Sequence, residues 1–196
     1  GEFGHSELRR SSLETGAYER FAKLPSSEFG EGITLLNGKL YQLTWTSNTC
    51  HLYDLRSGRK IRDFRYTGEG WGLTTDGQKL YMSNGTSTIY RINPATFSRE
   101  SKMTVTLRGA PLEMINELEW IDGKIWANVY TTDQIVIINP KTGVVEGVID
   151  LAGLQKEEDT FADTDVLNGI AYDAATGRIL LTGKRWNKIY EIEIVK

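Results

Sequence analysis

The chain has 196 residues, 39% of them hydrophobic and 25% charged, with 26 acidic against 23 basic side chains and a net charge of -3. That length suits one domain with a substantial core and is short for two. The acidic balance excludes nucleic acid as the expected partner, because phosphate binding needs a clustered basic surplus, and no apolar run approaches the ~18 residues of a membrane-spanning helix.

From the N-terminus, residues 6–16 (Ser-Glu-Leu-Arg-Arg-Ser-Ser-Leu-Glu-Thr-Gly) read as a strand ending in a polar turn, and residues 17–24 as its antiparallel partner. The string Gly-Ile-Thr-Leu-Leu-Asn-Gly-Lys-Leu-Tyr (32–41) then makes a hairpin, two apolar runs joined by Asn-Gly. A third strand follows at 52–55, running into the turn Arg56-Ser57-Gly58, and a polar fourth at 60–64. The hairpin returns as Gly-Leu-Thr-Thr-Asp-Gly-Gln-Lys-Leu-Tyr (72–81), with a third strand at 89–92 before Asn93-Pro94 and a fourth at 100–106. It returns again as Glu-Leu-Glu-Trp-Ile-Asp-Gly-Lys-Ile-Trp (117–126), with strands at 135–138 and 144–151. Residues 152–163 interrupt the series with a charged, helix-like composition over 154–163, which reads as a surface loop holding a helical turn. The last hairpin is Gly-Ile-Ala-Tyr-Asp-Ala-Ala-Thr-Gly-Arg-Ile-Leu (169–180).

The Lys that opens each second strand steps 40 residues from Lys39 to Lys79 and 45 to Lys124. Four strands at that period are the signature of a β-propeller blade. The expected fold is therefore all-β, a single five-bladed β-propeller domain of four-stranded antiparallel blades. The first half of blade one is missing from this chain. Residues 1–25 are the outer strands of that blade, 26–66, 67–107, 108–151 and 164–196 are successive blades, and 152–163 is a rim loop.

Cys50, the single cysteine, excludes an internal disulfide and reads as a small apolar residue where a turn enters a strand. His5 and His51 have no spacing that suggests zinc. The basic runs at 8–10 and 56–65 read as solvated strand faces.

In a propeller the first strands of all blades start at one mouth of the central funnel. Those positions read Phe29-Gly30-Glu31-Gly32, Gly68-Glu69-Gly70-Trp71-Gly72, Asn116-Glu117-Leu118-Glu119 and Val166-Leu167-Asn168-Gly169. Glycines there let backbones approach near the axis, and polar residues beside them form a constellation. Glu69, Glu117, Glu119 and Asp165 offer hard oxygen ligands, so a structural calcium on the axis is an alternative use of the rim.

These strings, together with Tyr-Gln-Leu-Thr-Trp (41–45), Trp-Ala-Asn-Val-Tyr (126–130), Asp-Val-Leu-Asn-Gly-Ile-Ala (165–171) and Thr-Gly-Lys-Arg-Trp (182–186), resemble the glutamine cyclotransferases of the plant and bacterial type over essentially the whole chain. The resemblance implies a five-bladed propeller that cyclises N-terminal glutamine of peptides to pyroglutamate with release of ammonia. It implies that Glu31 is the catalytic, proton-transferring carboxylate, Asn116 a substrate-binding asparagine and Lys184 a pocket lysine; the reaction's oxyanion needs a fixed donor, a catalytic role open to either Asn116 or Lys184. It implies substrate contacts for Phe29, Trp45, Trp71, Tyr130 and Asn168. Tyr130 stands where the family usually has tryptophan, and no segment here corresponds to the family's Phe-Thr-Gln-Gly-Leu string. No cofactor is required, the expected state is a monomer, and the expected location is extracytoplasmic, with no signal segment visible in this chain. A calcium-dependent lactonase or esterase on a similar propeller, and a binding propeller without catalysis, are the competing readings.

Overall fold

The structure, a computed structural model, describes residues 1–195. A ribbon of β1 (Glu7–Ser11) and β2 (Tyr18–Lys23) precedes the first four-stranded sheet, β3 (Gly30–Leu36), β4 (Lys39–Thr44), β5 (Thr49–Asp54) and β6 (Lys60–Arg65). The second sheet is β7 (Leu73–Thr75), β8 (Leu80–Ser83), β9 (Thr88–Ile92) and β10 (Arg99–Thr104). A short ribbon, β11 (Thr106–Leu107) and β12 (Ala110–Pro111), leads to the third sheet, β13 (Ile115–Ile121), β14 (Lys124–Val129), β15 (Gln134–Ile138) and β16 (Val145–Asp150). The fourth sheet has three strands, β17 (Leu167–Asp173), β18 (Arg178–Gly183) and β19 (Tyr190–Ile192). In every sheet consecutive strands pair antiparallel.

The architecture is propeller-like and all-β, with one 3-10 turn, Glu157–Asp159, inside the rim loop. The expected count of five is not reached: the described residues make four blades, the fourth short of one strand, and β1–β2 stands as a separate ribbon. The fourth strand of the second sheet ends at Thr104, two residues before the expected end at residue 106. Val105 is buried and leaves the ladder, its N–H donating to the Ser87 carbonyl at 2.7 Å.

Local chemistry explains the turns. Asn37-Gly38 and Asp122-Gly123 take positive φ at both positions (51° and 71°, 49° and 78°), the backbone a two-residue hairpin needs, and they join β3 to β4 and β13 to β14. Third strands end where an acidic or amide side chain catches the backbone ahead of it: Asp54 accepts the Ser57 N–H at 2.7 Å, Asn93 that of Ala95 at 2.9 Å, and Asn139 that of Lys141 at 3.0 Å.

The core lies between sheets rather than within one. Leu43, Cys50 and Leu52 of the first sheet pack with Leu80, Met82 and Ile92 of the second. Ile89 packs with Ile115, Ile125 and Val136 of the third sheet, and Ile135 and Trp126 pack with Leu167, Ile170 and Leu181 of the fourth. Middle strands are therefore covered on both faces, and β5 is buried along nearly its whole length. Outer strands face water, so β6 and β10 are mostly exposed. Cys50 is fully buried and its thiol is pushed well above the ordinary range by that burial, which leaves it unreactive. The inner strands β3, β7, β13 and β17 pack one against the next, and their starts share one end of the molecule.

Candidate active site

One irregularity recurs at that end. In the first sheet Gly30 pairs with Thr44 and Ile33 with Gln42, so three steps on β3 oppose two on β4. Ile115 to Leu118 against Val129 to Ala127, and Leu167 to Ile170 against Gly183 to Leu181, repeat the same bulge. In the second sheet the bond from Trp71 N–H to Ser83 carbonyl, answered by Ser83 N–H to Gly72 carbonyl, occupies the same place. A bulge takes a residue out of the ladder and re-aims its side chain. The four residues re-aimed are Glu31, Trp71, Asn116 and Asn168.

A second repeated position supplies the wall. Trp45, Tyr130 and Lys184 each follow the second strand of their sheet, and each donates its backbone N–H to the residue before the inner strand, Phe29, Met114 and Val166 respectively, at 2.8 to 2.9 Å. In the second sheet the corresponding residue is Gly85, and the Trp71 indole lies over it: a Cβ there would sit 2.6 Å from the ring. The floor is similarly tight. A Cβ on Gly72 would overlap the Asn116 carbonyl oxygen, so the inner strands of neighbouring sheets meet only because this position carries no side chain.

Seven of the eight sequence-derived candidates, Phe29, Glu31, Trp45, Trp71, Asn116, Tyr130 and Lys184, line one cavity of ≈ 250 Å³. Phe29 meets Trp45 edge to face at 5.7 Å between centroids, and Trp71 meets Tyr130 likewise at 5.5 Å. Lys184 Nζ sits 4.9 Å above the Tyr130 ring, so the phenol wall also seats the cation. Asn168 is not in this cavity. It lies in an adjoining cleft that Glu31 and Lys184 also border, with its Oδ1 buried and without a hydrogen-bond partner among the described residues.

Burial pushes the Glu31 carboxyl above its ordinary value, against the pull of Lys184, and Glu69 adds to the rise. Glu117 is raised further. Burial is again the main cause, followed by the like charges of Glu119 and Glu31. A carboxyl raised in the folded state contributes stability that is complete below its unfolded value and lost as pH rises through the folded one. Glu117→Gln is therefore expected to stabilise the protein near neutral pH, because the amide has no charge to bury beside Glu119 and Glu31. The gain should grow from pH 5 to pH 8 in thermal unfolding; a variant that melts below the wild type at pH 8 would contradict the assignment.

Two features escaped the reading of the sequence. Glu69 Oε2 accepts the indole N–H of Trp45 and of Trp71, both at 2.7 Å. His51, 2% exposed, lies between Glu28 Oε2 at 2.6 Å and Asp63 Oδ1 at 2.7 Å and ties the segment carrying Phe29 to the first sheet. Each joins a near partner to a distant one that no local pattern signals: Trp71 is two residues from Glu69 but Trp45 is 24, and Asp63 is 12 from His51 but Glu28 is 23. Among the described residues no three acidic, His or Cys side chains, the rim carboxylates Glu69, Glu117, Glu119 and Asp165 included, converge as metal ligands. Glu69 is committed to the indoles, and Glu119 accepts the Tyr172 N–H at 2.9 Å.

A model of the glutamine cyclotransferase family matches residues 1–194. The chain is 42% identical over 197 aligned residues to the glutaminyl-peptide cyclotransferase of Arabidopsis thaliana, covering 99% of this chain and 62% of that protein's length. The crystal structure of Myxococcus xanthus glutaminyl cyclase superposes with a TM-score of 0.89 at 37% identity, over 97% of this chain and 83% of that one.

Proposed function

Because this chain belongs to the glutamine cyclotransferase family, we propose that its cavity closes the N-terminal glutamine of a peptide to pyroglutamate with release of ammonia. The observation that carries this reading is the convergence of Glu31, Asn116 and Lys184 on one aromatic-walled space. In the reaction the substrate's α-nitrogen attacks its own γ-carboxamide carbon. A ring C–N bond forms, the bond to the amide nitrogen breaks, and that nitrogen leaves as ammonia.

The α-amino group titrates near pH ~8, so it enters largely protonated. A base must take that proton and an acid must give one to the leaving nitrogen. Glu31 performs both in turn, and its raised pKa suits a group that must accept and return a proton near neutrality. Charge developing on the former amide oxygen needs a fixed donor, which the Asn116 amide and the Lys184 ammonium offer from two different sheets. Phe29, Trp45, Trp71 and Tyr130 confine the glutaminyl chain, and confinement substitutes for the entropy of ring closure. In the adjoining cleft the orphaned Oδ1 of Asn168 suits an N–H of the peptide that follows the glutamine.

The same reading extends to architecture. The ribbon β1–β2 pairs as the third and fourth strands of a blade do, which supports a five-bladed ring with the outer half of its first blade in this chain. The test is direct: the full-length protein is expected to release ammonia stoichiometrically from a glutaminyl dipeptide and to leave a pyroglutamyl product. Ammonia at no more than the uncatalysed rate ends the proposal.

A further inference from the structure

Glu69 occupies, in the second sheet, the position that Phe29, Met114 and Val166 hold in the others, two residues before the bulge. Three of the four blades place an apolar side chain there, and one places a half-buried carboxylate. That carboxylate does not line the aromatic cavity, so it touches no substrate held there. Its Oε2 instead receives two N–H bonds of equal length from indoles of different sheets, Trp45 at the end of β4 and Trp71 at the start of β7.

The geometry points to Glu69 as a positioning residue that holds both indoles in one orientation from behind the cavity, making a fixed wall for the glutaminyl side chain. The proposal rests on the cyclotransferase reading of that cavity. An indole has a single donor and no acceptor, so an N–H edge turned toward the glutamine amide would compete for its oxygen. A shared anionic acceptor draws both N–H edges away and leaves ring faces toward the substrate. An ionised acceptor makes stronger bonds than a neutral one, and one oxygen serving two rings locks their mutual angle as well as each alone. Glu69 also acts on Glu31 through space. The charged side chains facing Glu31 are Lys184, which lowers its pKa, and Glu69, which raises it, with Glu117 of the third sheet a further like charge.

The test compares Glu69→Gln and Glu69→Ala in the full-length protein. In Glu69→Ala the indole N–H resonances of Trp45 and Trp71, assigned through Trp45→Phe and Trp71→Phe, are expected to shift while the other three tryptophans stay in place. For a glutaminyl dipeptide kcat/KM should fall by on the order of 10- to 10²-fold, the usual cost of a misplaced wall. Glu69→Gln keeps an acceptor oxygen and so should restore most of KM. It removes the negative charge that raises Glu31, so the acidic limb of kcat/KM should move to lower pH. A purely structural residue would produce neither the paired indole shifts nor the moved limb. Unshifted resonances in Glu69→Ala, or an unmoved limb in Glu69→Gln, overturn the assignment. A wild type that releases no ammonia removes the reaction alone, and the indole resonances still decide the clamp.

Discussion

Glu31→Gln is expected to lower kcat/KM for a glutaminyl dipeptide by about 10²–10⁴-fold, the contribution of a positioned acid/base. The substitution keeps the shape of the side chain and removes its ability to carry a proton between the α-amine and the departing amide nitrogen. Stability should hold or improve. The Glu31 carboxyl is raised in the folded state, so its ionised form disfavours folding as pH rises, and a neutral amide has no such cost. Binding of the glutaminyl peptide should change little, because the aromatic walls are untouched. Rate loss with intact affinity and an intact melting curve identifies the proton carrier. A variant that cyclises at the wild-type rate would remove Glu31 from the mechanism while leaving the cavity as a binding site.

Asn116→Ala and Lys184→Ala should each lower kcat by about 10²–10³-fold if the residue replaced supplies the oxyanion donor, equivalent to roughly 3–4 kcal/mol of transition-state stabilisation. The pH profile separates the two. Lys184 lowers the pKa of Glu31, so losing it should move the acidic limb of kcat/KM to higher pH. Asn116 carries no charge and its loss should leave the limb where it is. Two large losses mean that the oxyanion is held from both sheets, whereas one large loss names the donor. If neither variant loses more than a few-fold, oxyanion stabilisation comes from elsewhere in the cavity. Lys184→Met is a useful companion, since it keeps the apolar stem against Tyr130 and removes the ammonium.

How much of this was legible beforehand follows from the range of the interactions involved. The Asn-Gly and Asp-Gly turns and the alternating apolar runs announced the hairpins, because a two-residue turn and a strand's period of two are properties of a few neighbouring residues. The spacing of Lys39, Lys79 and Lys124 announced the repeat. The matching bulges were not announced. Glu31, Asn116 and Asn168 were singled out by their place at strand mouths, yet the reason they turn inward is an extra residue set by pairing with the neighbouring strand. Asn168 shows the limit of position alone: it shares the bulge with Glu31 and Asn116 but opens into the next cleft. Glu69 shows the opposite. It stood in the rim with three other carboxylates and was grouped with them as an oxygen ligand, until its distance to two indoles gave it a different task.

By itself, then, the order of residues determined the strands, their turns, the blade period and the side chains available at the funnel mouth. Each of those rests on contacts between residues close along the chain. Only the tertiary structure decided which side chains share a cavity, that the described residues form four blades with β1–β2 apart as a ribbon, and that Glu69 meets two indoles. Those outcomes depend on how separate sheets pack about an axis, where residues tens of positions apart meet at distances that no local pattern encodes.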